Sequence, residues 1–168
     1  MRLEIKILDK KFYSYDSGLG GASNSGYDIP RYATRDSAGL DLRTTKDVRL
    51  RPGEQATIST GLAIHIGSGE GRGFGVQDIV GIIAPRSSLG ARGLSLQNTI
   101  GIIDADYTGE ILLKIYNHNK EDSLYIEAGE RVAQLLLVPI LKAHFNVVDE
   151  FTEITERNSG GFGSSGSI

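Results

Sequence analysis

Apolar and polar residues alternate along most of the chain with the two-residue period of β-strands. Near the N-terminus, Leu3, Ile5 and Ile7 share one face, and charged residues occupy the other. The run 76–83 is more continuously apolar, which is typical of a strand that is buried on both faces. The pattern predicts strands at residues 2–8, 40–42, 48–50, 58–66, 76–83, 111–115, 124–126, 132–140 and 145–148.

Turn signals separate these strands, and a helical period is nearly absent. Residues 51–54 (Arg-Pro-Gly-Glu) predict a turn, and residues 127–130 (Glu-Ala-Gly-Glu) repeat its Gly-Glu ending before another strand. The best helix candidate is the short segment 87–91, because no longer stretch has an apolar stripe of helical period. Many short strands joined by glycine turns favour a single-domain sandwich or jelly roll over repeated βαβ units.

The composition fits one globular domain and limits the functions open to it. With 39% hydrophobic and 23% charged residues among 168, the chain can bury a core. A net charge of -3 argues against nucleic acid as the main partner, and the lack of cysteine excludes disulfides, zinc–thiolate sites and thiol catalysis. Because no apolar leader or membrane-length run is present, we expect a soluble cytoplasmic protein without a membrane partner.

Three polar segments interrupt or follow the β pattern. Residues 14–28 and 67–75 are rich in Gly and Ser and have the character of insertions, and residues 157–168 form a Gly/Ser tail. Composition alone favours a disordered tail. However, glycine N–H groups, hydroxyls and the Arg157 guanidinium also suit phosphate, and the Phe162 ring could stack on a base.

The segment 85–90 (PRSSLG) follows the apolar run and opens the helix candidate. Arg86 and the hydroxyls of Ser87 and Ser88 at a helix N-terminus would make an anion site. The alternative is an ordinary helix start, in which Ser87 or Ser88 is the cap and Arg86 points into solvent. The pattern leaves both interpretations open.

The segment 98–110 contains two carboxylates directly after an apolar run. Either Asp104 or Asp106 could be a general base while the other is structural, and Tyr107 could pack against a sugar. The alternative is a plain β-turn, in which Asp is common. For Asp41, which lies between two strand leucines, alternation predicts a position on the solvent face.

Each of these features is weak alone, but their joint order along the chain is specific. Over about residues 30–166, the sequence resembles the homotrimeric deoxyuridine triphosphate nucleotidohydrolase (dUTPase) family. The five motifs that carry the resemblance are residues 37–42 (SAGLDL), 85–89 (PRSSL), 98–110 (NTIGIIDADYTGE), 129–135 (GERVAQL) and 157–166 (RNSGGFGSSG). The third and fifth motifs are the most specific.

The resemblance implies an all-β fold, a distorted jelly-roll-like barrel, that assembles into a homotrimer with active sites shared between subunits. It implies a β domain over residues 1–156, with insertions near 14–28 and 67–75, and a mobile glycine-rich arm over residues 157–168 that closes the site. It also implies Mg²⁺-dependent hydrolysis of dUTP to dUMP and pyrophosphate, by in-line attack of water on the α-phosphorus. This reaction would keep uracil out of DNA and supply dUMP for dTTP synthesis.

Carried over residue by residue, the resemblance assigns roles in all five motifs. Asp104 is expected to be the general base that orients the attacking water, and Tyr107 to pack under the deoxyribose. Asn98 and the backbone at Ile102 and Ile103 are expected to read uracil. The remaining expected contacts are Asp41 with water on Mg²⁺, Arg86, Ser87, Ser88 and Gln134 with phosphates, and Arg157, Phe162, Gly163 and Ser164 in the arm.

Three positions depart from the usual motifs of the family. Ser88 and Asn158 stand where glycine is usual, and Thr108 stands where Arg or Gln is usual. These departures concern the phosphate contacts rather than the reaction.

Three other functions compete with a dUTPase. A dCTP deaminase shares the fold, but the Asp-Ala-Asp-Tyr segment and the glycine arm favour a dUTPase. A regulatory nucleotide-binding protein would use the two insertions as partner surfaces. A purely structural trimer leaves Arg86, Asp104 and Arg157 unexplained.

Overall fold

A computed structural model describes residues 3–10, 12–14, 27–67, 78–153 and 155 of the chain. Within these residues the fold is almost entirely β, with one short helix, α1 (Ser87–Gly90). No described helix is long and apolar enough to cross a membrane. The strands are β1 (Glu4–Ile7), β2 (Tyr13–Ser14), β3 (Tyr27–Asp28), β4 (Leu40–Arg43), β5 (Val48–Leu50), β6 (Gln55–His65), β7 (Asp78–Pro85), β8 (Leu94–Leu96), β9 (Gly101–Ile103), β10 (Glu110–Asn117), β11 (Leu124–Ile126) and β12 (Arg131–Ile140).

Two four-stranded sheets carry the fold. One has the order β1-β6-β10-β8 and the other the order β4-β12-β7-β9, with every pairing antiparallel. Two smaller pairings, β5 with β11 and β2 with β3, complete the described strands. Ile58 and Leu113 of the first sheet share one hydrophobic core with Leu42 and Ile83 of the second. The predicted all-β class, with sheets around one core, is confirmed.

Alternation predicts strands well wherever one face is buried. In β10, Ile111, Leu113 and Ile115 are at most 1% exposed, while Leu112 and Lys114 between them face solvent. Burying each large apolar side chain contributes about 1.5–3 kcal/mol, so a register slip of one residue would be costly. The helix predicted at 87–91 is found at Ser87–Gly90.

Two predictions from the pattern fail. The pattern analysis omits β8 and β9. Strand β9 (Gly-Ile-Ile) shows no alternation, whereas β8 (Leu-Ser-Leu) alternates as β5 and β11 do and is a strand that the pattern could have predicted. The strand predicted at 145–148 is wrong, since residues 141–153 pair with no described strand. Phe145 and Val147 are 93% and 95% exposed, so their apolar side chains lack a surface to cover them among the described residues.

The two predicted turns are confirmed, and they share one geometry. In each, the fourth residue donates its N–H to the first carbonyl, at 3.0 Å for Glu54 to Arg51 and 2.9 Å for Glu130 to Glu127. The third residue is a glycine with positive φ in both turns, as the turn type demands. The strands before these turns, β5 and β11, pair with each other.

Tyr13 is a buried tyrosine that ties β2 to β6. Its hydroxyl donates a hydrogen bond to the Thr60 carbonyl oxygen at 2.9 Å. Burial raises the pKa of Tyr13 well above its ordinary value, while Arg43 opposes part of this shift and Asp9 adds to it. The folded protein therefore binds the phenolic proton more tightly than the unfolded chain does.

We expect stability to fall at alkaline pH because of Tyr13. The contribution of Tyr13 to the free energy of unfolding is complete below about pH 10, where the tyrosine of the unfolded chain stays protonated. This contribution is lost as the pH rises from there towards the higher pKa of the folded protein. Urea unfolding of wild type and Tyr13→Phe from about pH 8 to about pH 11 measures this difference. The wild type should lose free energy of unfolding more steeply above about pH 10, and parallel profiles would contradict the assignment.

Candidate active site

Asp41 joins two arginines at one end of the second sheet. Its Oδ1 accepts from Nε of Arg86 at 3.1 Å, and its Oδ2 accepts from Nη1 of Arg131 at 3.0 Å. The Asp41 side chain is 23% exposed and lies on the face opposite buried Leu42, as alternation predicts, but its carboxylate is ion-paired rather than free in solvent. The adjacent guanidinium groups create a local positive charge that suits phosphate oxygens.

The sheet register places Gln134 beside this ion-paired group. Gln134 pairs with Asp41 of β4 on one side and with Ala84 of β7 on the other. A Cβ on Gly39 would lie 2.7 Å from Oε1 of Gln134, so the glycine leaves room for the amide. The first, second and fourth motifs therefore meet at this end of the sheet. The set of Asp41, Arg86, Arg131 and Gln134 is called the arginine cluster below.

The short helix α1 begins directly after Arg86. Arg86 itself is the N-cap residue, with extended backbone angles and no side-chain hydrogen bond that caps the helix. Ser87 and Ser88 are exposed, whereas Leu89 is 2% exposed and anchors the helix in the core. A helix start with a serine cap and a solvated Arg86 is therefore wrong, because Arg86 holds the cap position and pairs with Asp41.

A strained turn carries Asn98 just before β9. Thr99 has a φ of 64°, and the Ile100 N–H donates to the Asn98 carbonyl oxygen across it at 2.6 Å. A β-branched residue in this conformation costs on the order of 1–3 kcal/mol, and such strain gathers at functional sites. Asn98 is exposed beside the turn.

Strand β9 lies at the edge of its sheet and packs tightly on β7. Its outer edge pairs with no strand among the described residues, so backbone groups near Ile102 remain available for a ligand. Gly81 pairs with Ile103 and Ile83 with Gly101, so each glycine faces an isoleucine. A Cβ on Gly81 would lie only 3.0 Å from the Ile103 Cβ, which fixes how closely the strands approach.

Strand β9 leads into a turn that carries Asp104 and Tyr107. The Tyr107 N–H donates to the Asp104 carbonyl oxygen at 3.1 Å, and the Tyr107 hydroxyl donates to the Glu110 carbonyl oxygen at 2.8 Å. The Asp104 carboxylate is exposed and has no hydrogen-bond or ion-pair partner within the described part of the chain. An accessible carboxylate next to a fixed, 41% exposed ring suits a general base beside a sugar.

In one chain, the arginine cluster and Asp104 lie at opposite ends of the same sheet. Ile103 pairs with Gly81, which places Asp104 next to Val80, at the start of β7. Arg86 follows the other end of β7, six residues beyond Val80. At a rise of about 3.3 Å per residue, the backbone positions of Arg86 and Asp104 are about 20 Å apart along the sheet. One chain therefore does not bring Arg86 and Asp104 to the same substrate atoms.

A surface pocket borders Asp104 at its end of the sheet. Asp106 lines this pocket together with Asp78 and Lys142, whose ammonium lies 3.1 Å from an Asp78 carboxylate oxygen. Asp106 shares the exposure of Asp104 and occupies the same turn. The two aspartates therefore provide a matched pair for separating a chemical role from a structural one.

Sequence reasoning missed two residues that the structure ties to the site. Arg131 belongs to the fourth motif, but regular alternation puts a residue three before Gln134 on the opposite face of the strand. The register shift between Arg131 and Ala133 brings it to Asp41, and the sequence carries no signal for this irregularity. Glu110 ended the third motif without a role, although its carbonyl holds Tyr107. Arg157, Phe162, Gly163 and Ser164 lie outside the described residues, as do most of the two insertions.

The carboxylates near the arginine cluster limit how the protein could bind Mg²⁺. Among the described residues, no group of three or more His, Cys, Asp or Glu side chains could bind a metal ion directly. Asp41 offers one partly exposed carboxylate beside the arginine cluster. Mg²⁺ typically keeps several waters and binds through one or two carboxylates plus substrate phosphates, so these residues fit an ion held mainly by a nucleotide.

A family model described as dUTPase matches residues 26–166 of this chain. The chain belongs to the dUTPase family. All five motifs quoted from the sequence lie within the matched residues. The family resemblance and the jelly-roll-like β-fold expected from it are confirmed.

Relatives of this dUTPase family member match it along nearly its whole length. A deoxyuridine 5'-triphosphate nucleotidohydrolase of Coxiella burnetii (strain Dugway 5J108-111) is 45% identical over 98% of this chain and 96% of that protein. One of Serratia proteamaculans (strain 568) is 41% identical over 98% and 97%. The structure of the Staphylococcus bacteriophage 80alpha dUTPase with dUpNHpp superposes with a TM-score of 0.78, at 28% identity over 99% of both chains.

Proposed function

We propose that this chain is a dUTP diphosphatase, which hydrolyses dUTP to dUMP and pyrophosphate. The observation that carries the proposal is the 45% identity, over almost all of both chains, to a named deoxyuridine 5'-triphosphate nucleotidohydrolase. The arginine cluster and the exposed Asp104 turn supply the two kinds of chemistry that this reaction needs. The reaction would remove dUTP, which keeps uracil out of DNA, and would supply dUMP for dTTP synthesis.

The arginine cluster is the proposed binding site for the triphosphate. The Arg86 and Arg131 guanidinium groups offer planar donors that match phosphate oxygens, and Ser87, Ser88 and Gln134 add neutral donors. Asp41 holds both guanidinium groups in place through its two oxygens. Their positive charge offsets the negative charge that grows on the leaving pyrophosphate.

Asp104 is the proposed general base. Its accessible carboxylate can accept a proton from a water molecule, and that water then attacks the α-phosphorus in line with the leaving pyrophosphate. The turn that holds Asp104 is closed by the hydrogen bond from the Tyr107 N–H. A base held in this way keeps the water oriented, which accounts for much of its effect.

The β9 edge and Tyr107 are proposed to select the nucleoside. Backbone groups at Ile102 and Ile103, together with Asn98, would pair with the donor and acceptor edge of uracil. A narrow pocket at this strand edge would match the uracil edge and leave no room for a thymine methyl. The Tyr107 ring would pack under deoxyribose and disfavour a ribose.

We propose that the protein forms a homotrimer whose sites are shared between subunits. The separation of about 20 Å between the arginine cluster and Asp104 supports this, because one substrate needs both. Residues 141–151 supply a second argument, since Leu141, Phe145, Val147 and Phe151 are 88–95% exposed. Large apolar side chains that are exposed together in one segment mark an interaction site, and a second copy would cover them.

Mg²⁺ is the proposed cofactor, and residues 157–168 are the proposed arm. Asp41 would contact the ion through water, and the ion's role when bound is to neutralise phosphate charge. Arg157, Phe162, Gly163 and Ser164 would close over bound nucleotide from the arm, beyond a β domain of residues 1–156. Closure would exclude bulk water from the reacting phosphate.

Pyrophosphate release tests the proposed reaction and its selectivity. The folded protein should release pyrophosphate from dUTP with Mg²⁺, and should act far more slowly on dTTP, dCTP and UTP. EDTA should abolish the release. A folded protein that leaves dUTP intact overturns the proposal, and equal release from dCTP overturns the uracil contacts.

Gly39→Ala tests the proposed role of Gln134. The added Cβ would displace the Gln134 amide, which it approaches to 2.7 Å, so KM for dUTP should rise by up to about tenfold with little change in kcat. Gly90→Ala is the matched control, because nothing lies within 4 Å of a Cβ there. Equal kinetic constants for Gly39→Ala and wild type would remove Gln134 from the phosphate site.

A further inference from the structure

Strand β6 contains a bulge at Gly61 that faces the first residue of β10. Between Glu110 and Leu112, the partner in β6 jumps from Ala63 to Ser59. Gly61 has a φ of 68°, which glycine adopts at little cost. A β-bulge of this kind re-aims the chain locally, and bulges often lie next to active sites.

The Glu110 carboxylate holds this bulge together. Its Oε1 accepts from the Gly61 N–H at 2.9 Å and from the Ser59 hydroxyl. The Ser59 Oγ also accepts from the Gly61 N–H, at 3.1 Å, so the three groups form one network. Hydrogen bonds to a carboxylate are stronger than neutral ones, and Glu110 is partly buried here, so the anchor is firm.

The backbone of the same residue holds Tyr107. The Glu110 carbonyl oxygen accepts the Tyr107 hydroxyl at 2.8 Å. The ring lies against Gly109, where a Cβ would come within 2.5 Å of the hydroxyl oxygen. Because the carboxylate and this carbonyl belong to one residue, freeing the carboxylate from the bulge would let the carbonyl move and the ring tilt.

We propose that Glu110 is a positioning residue for sugar selectivity, which acts through the Tyr107 hydroxyl. The inference rests on the proposed function, in which the Tyr107 ring packs under deoxyribose. When the Tyr107 ring is held at a fixed distance from the sugar, no space remains for the 2′-hydroxyl of a ribose. A Tyr107 ring that is free to tilt leaves room for this hydroxyl. Glu110 thereby sets the preference for dUTP over UTP.

The ratio of kcat/KM for dUTP to that for UTP measures this effect. Glu110→Ala should lower the ratio roughly tenfold, within the range of up to about 10²-fold that a 1 Å displacement costs. Glu110→Gln should keep most of it, because an amide oxygen still accepts from Gly61 and Ser59. Glu121→Ala, an exposed glutamate before β11, is the control and should keep the wild-type ratio.

Tyr107→Phe completes the test, because it breaks only the link to the Glu110 carbonyl. This variant should lower the ratio as Glu110→Ala does, and the double variant should be no worse than either single one. Additive effects overturn the inference. A wild-type ratio in Tyr107→Phe also overturns it, and this measurement does not depend on whether Glu110→Ala folds. Tyr107→Ala separates the proposed sugar contact of the Tyr107 ring from the proposed role of Glu110. An unchanged ratio in Tyr107→Ala would contradict the sugar contact itself. A lowered ratio in Tyr107→Ala, together with a wild-type ratio in Glu110→Ala, would contradict only the role of Glu110.

Discussion

Replacing Asp104 by Asn should lower kcat for dUTP hydrolysis by roughly 10³-fold and leave the fold intact, as expected for loss of a general base. The Asp104 side chain is exposed, and its carboxylate makes no hydrogen bond or ion pair within the described part of the chain, so stability has little reason to change. The amide can still bind a water molecule but cannot take its proton. KM should therefore stay close to the wild-type value, and the loss should fall on kcat.

Asp106→Asn is the matched control for this prediction. Asp106 lies in the same turn, is also exposed and lines the same pocket as Asp104. Its substitution should change kcat by less than about threefold, since general-base effects need contact with the reacting water. A large loss in Asp106→Asn with normal activity in Asp104→Asn would reverse the assignment of the base.

Placing acids in the exposed apolar segment should abolish both assembly and activity. Phe145 and Val147 are 93% and 95% exposed in one chain, so Phe145→Asp with Val147→Asp should cost little in a monomer. In an assembled interface, buried unpaired carboxylates cost several kcal/mol, enough to dissociate subunits at micromolar concentration. Because the two halves of the site lie about 20 Å apart in one chain, the monomer should be inactive on dUTP.

The control keeps the apolar character of the segment. Phe145→Leu with Val147→Ile should remain assembled and active, since apolar swaps of similar volume usually cost less than about 1.5 kcal/mol. Sedimentation velocity gives the oligomeric state, and pyrophosphate release gives the activity of the same samples. A monomeric acid variant with wild-type activity would contradict the shared site.

How much the sequence predicts depends on whether the physical cause is local. Alternation predicts β10 because burial of one face is written into residues two apart. It fails for β9, whose three residues show no period and whose packing depends on glycines facing isoleucines on another strand. It also fails at 145–148, where apolar alternation is present but no described strand pairs with it.

In the candidate site, too, features with a local cause are predicted from the sequence, and features that depend on distant strands are not. Arg86, Asp104 and Tyr107 are found from motifs because their chemistry is contained in short segments. The pairing of Asp41 with Arg131 is not, since the partners lie on different strands, far apart along the chain. Nor does any motif reveal that Arg86 and Asp104 end up at opposite ends of one sheet, because this follows from the register of β7 with β9.

The central claim is that Arg86 and Asp104 act on one substrate from different chains, and subunit mixing tests it most directly. Asp104→Asn and Arg86→Ala, each slow as a pure assembly, are co-expressed with different tags, and the mixed assemblies are isolated. In each isolated mixed trimer, about one site in three would combine an intact Arg86 from one chain with an intact Asp104 from another. The account predicts that dUTP hydrolysis returns to about a third of the wild-type rate. Mixed assemblies as slow as the pure variants would place both residues in a site formed by one chain and contradict the account.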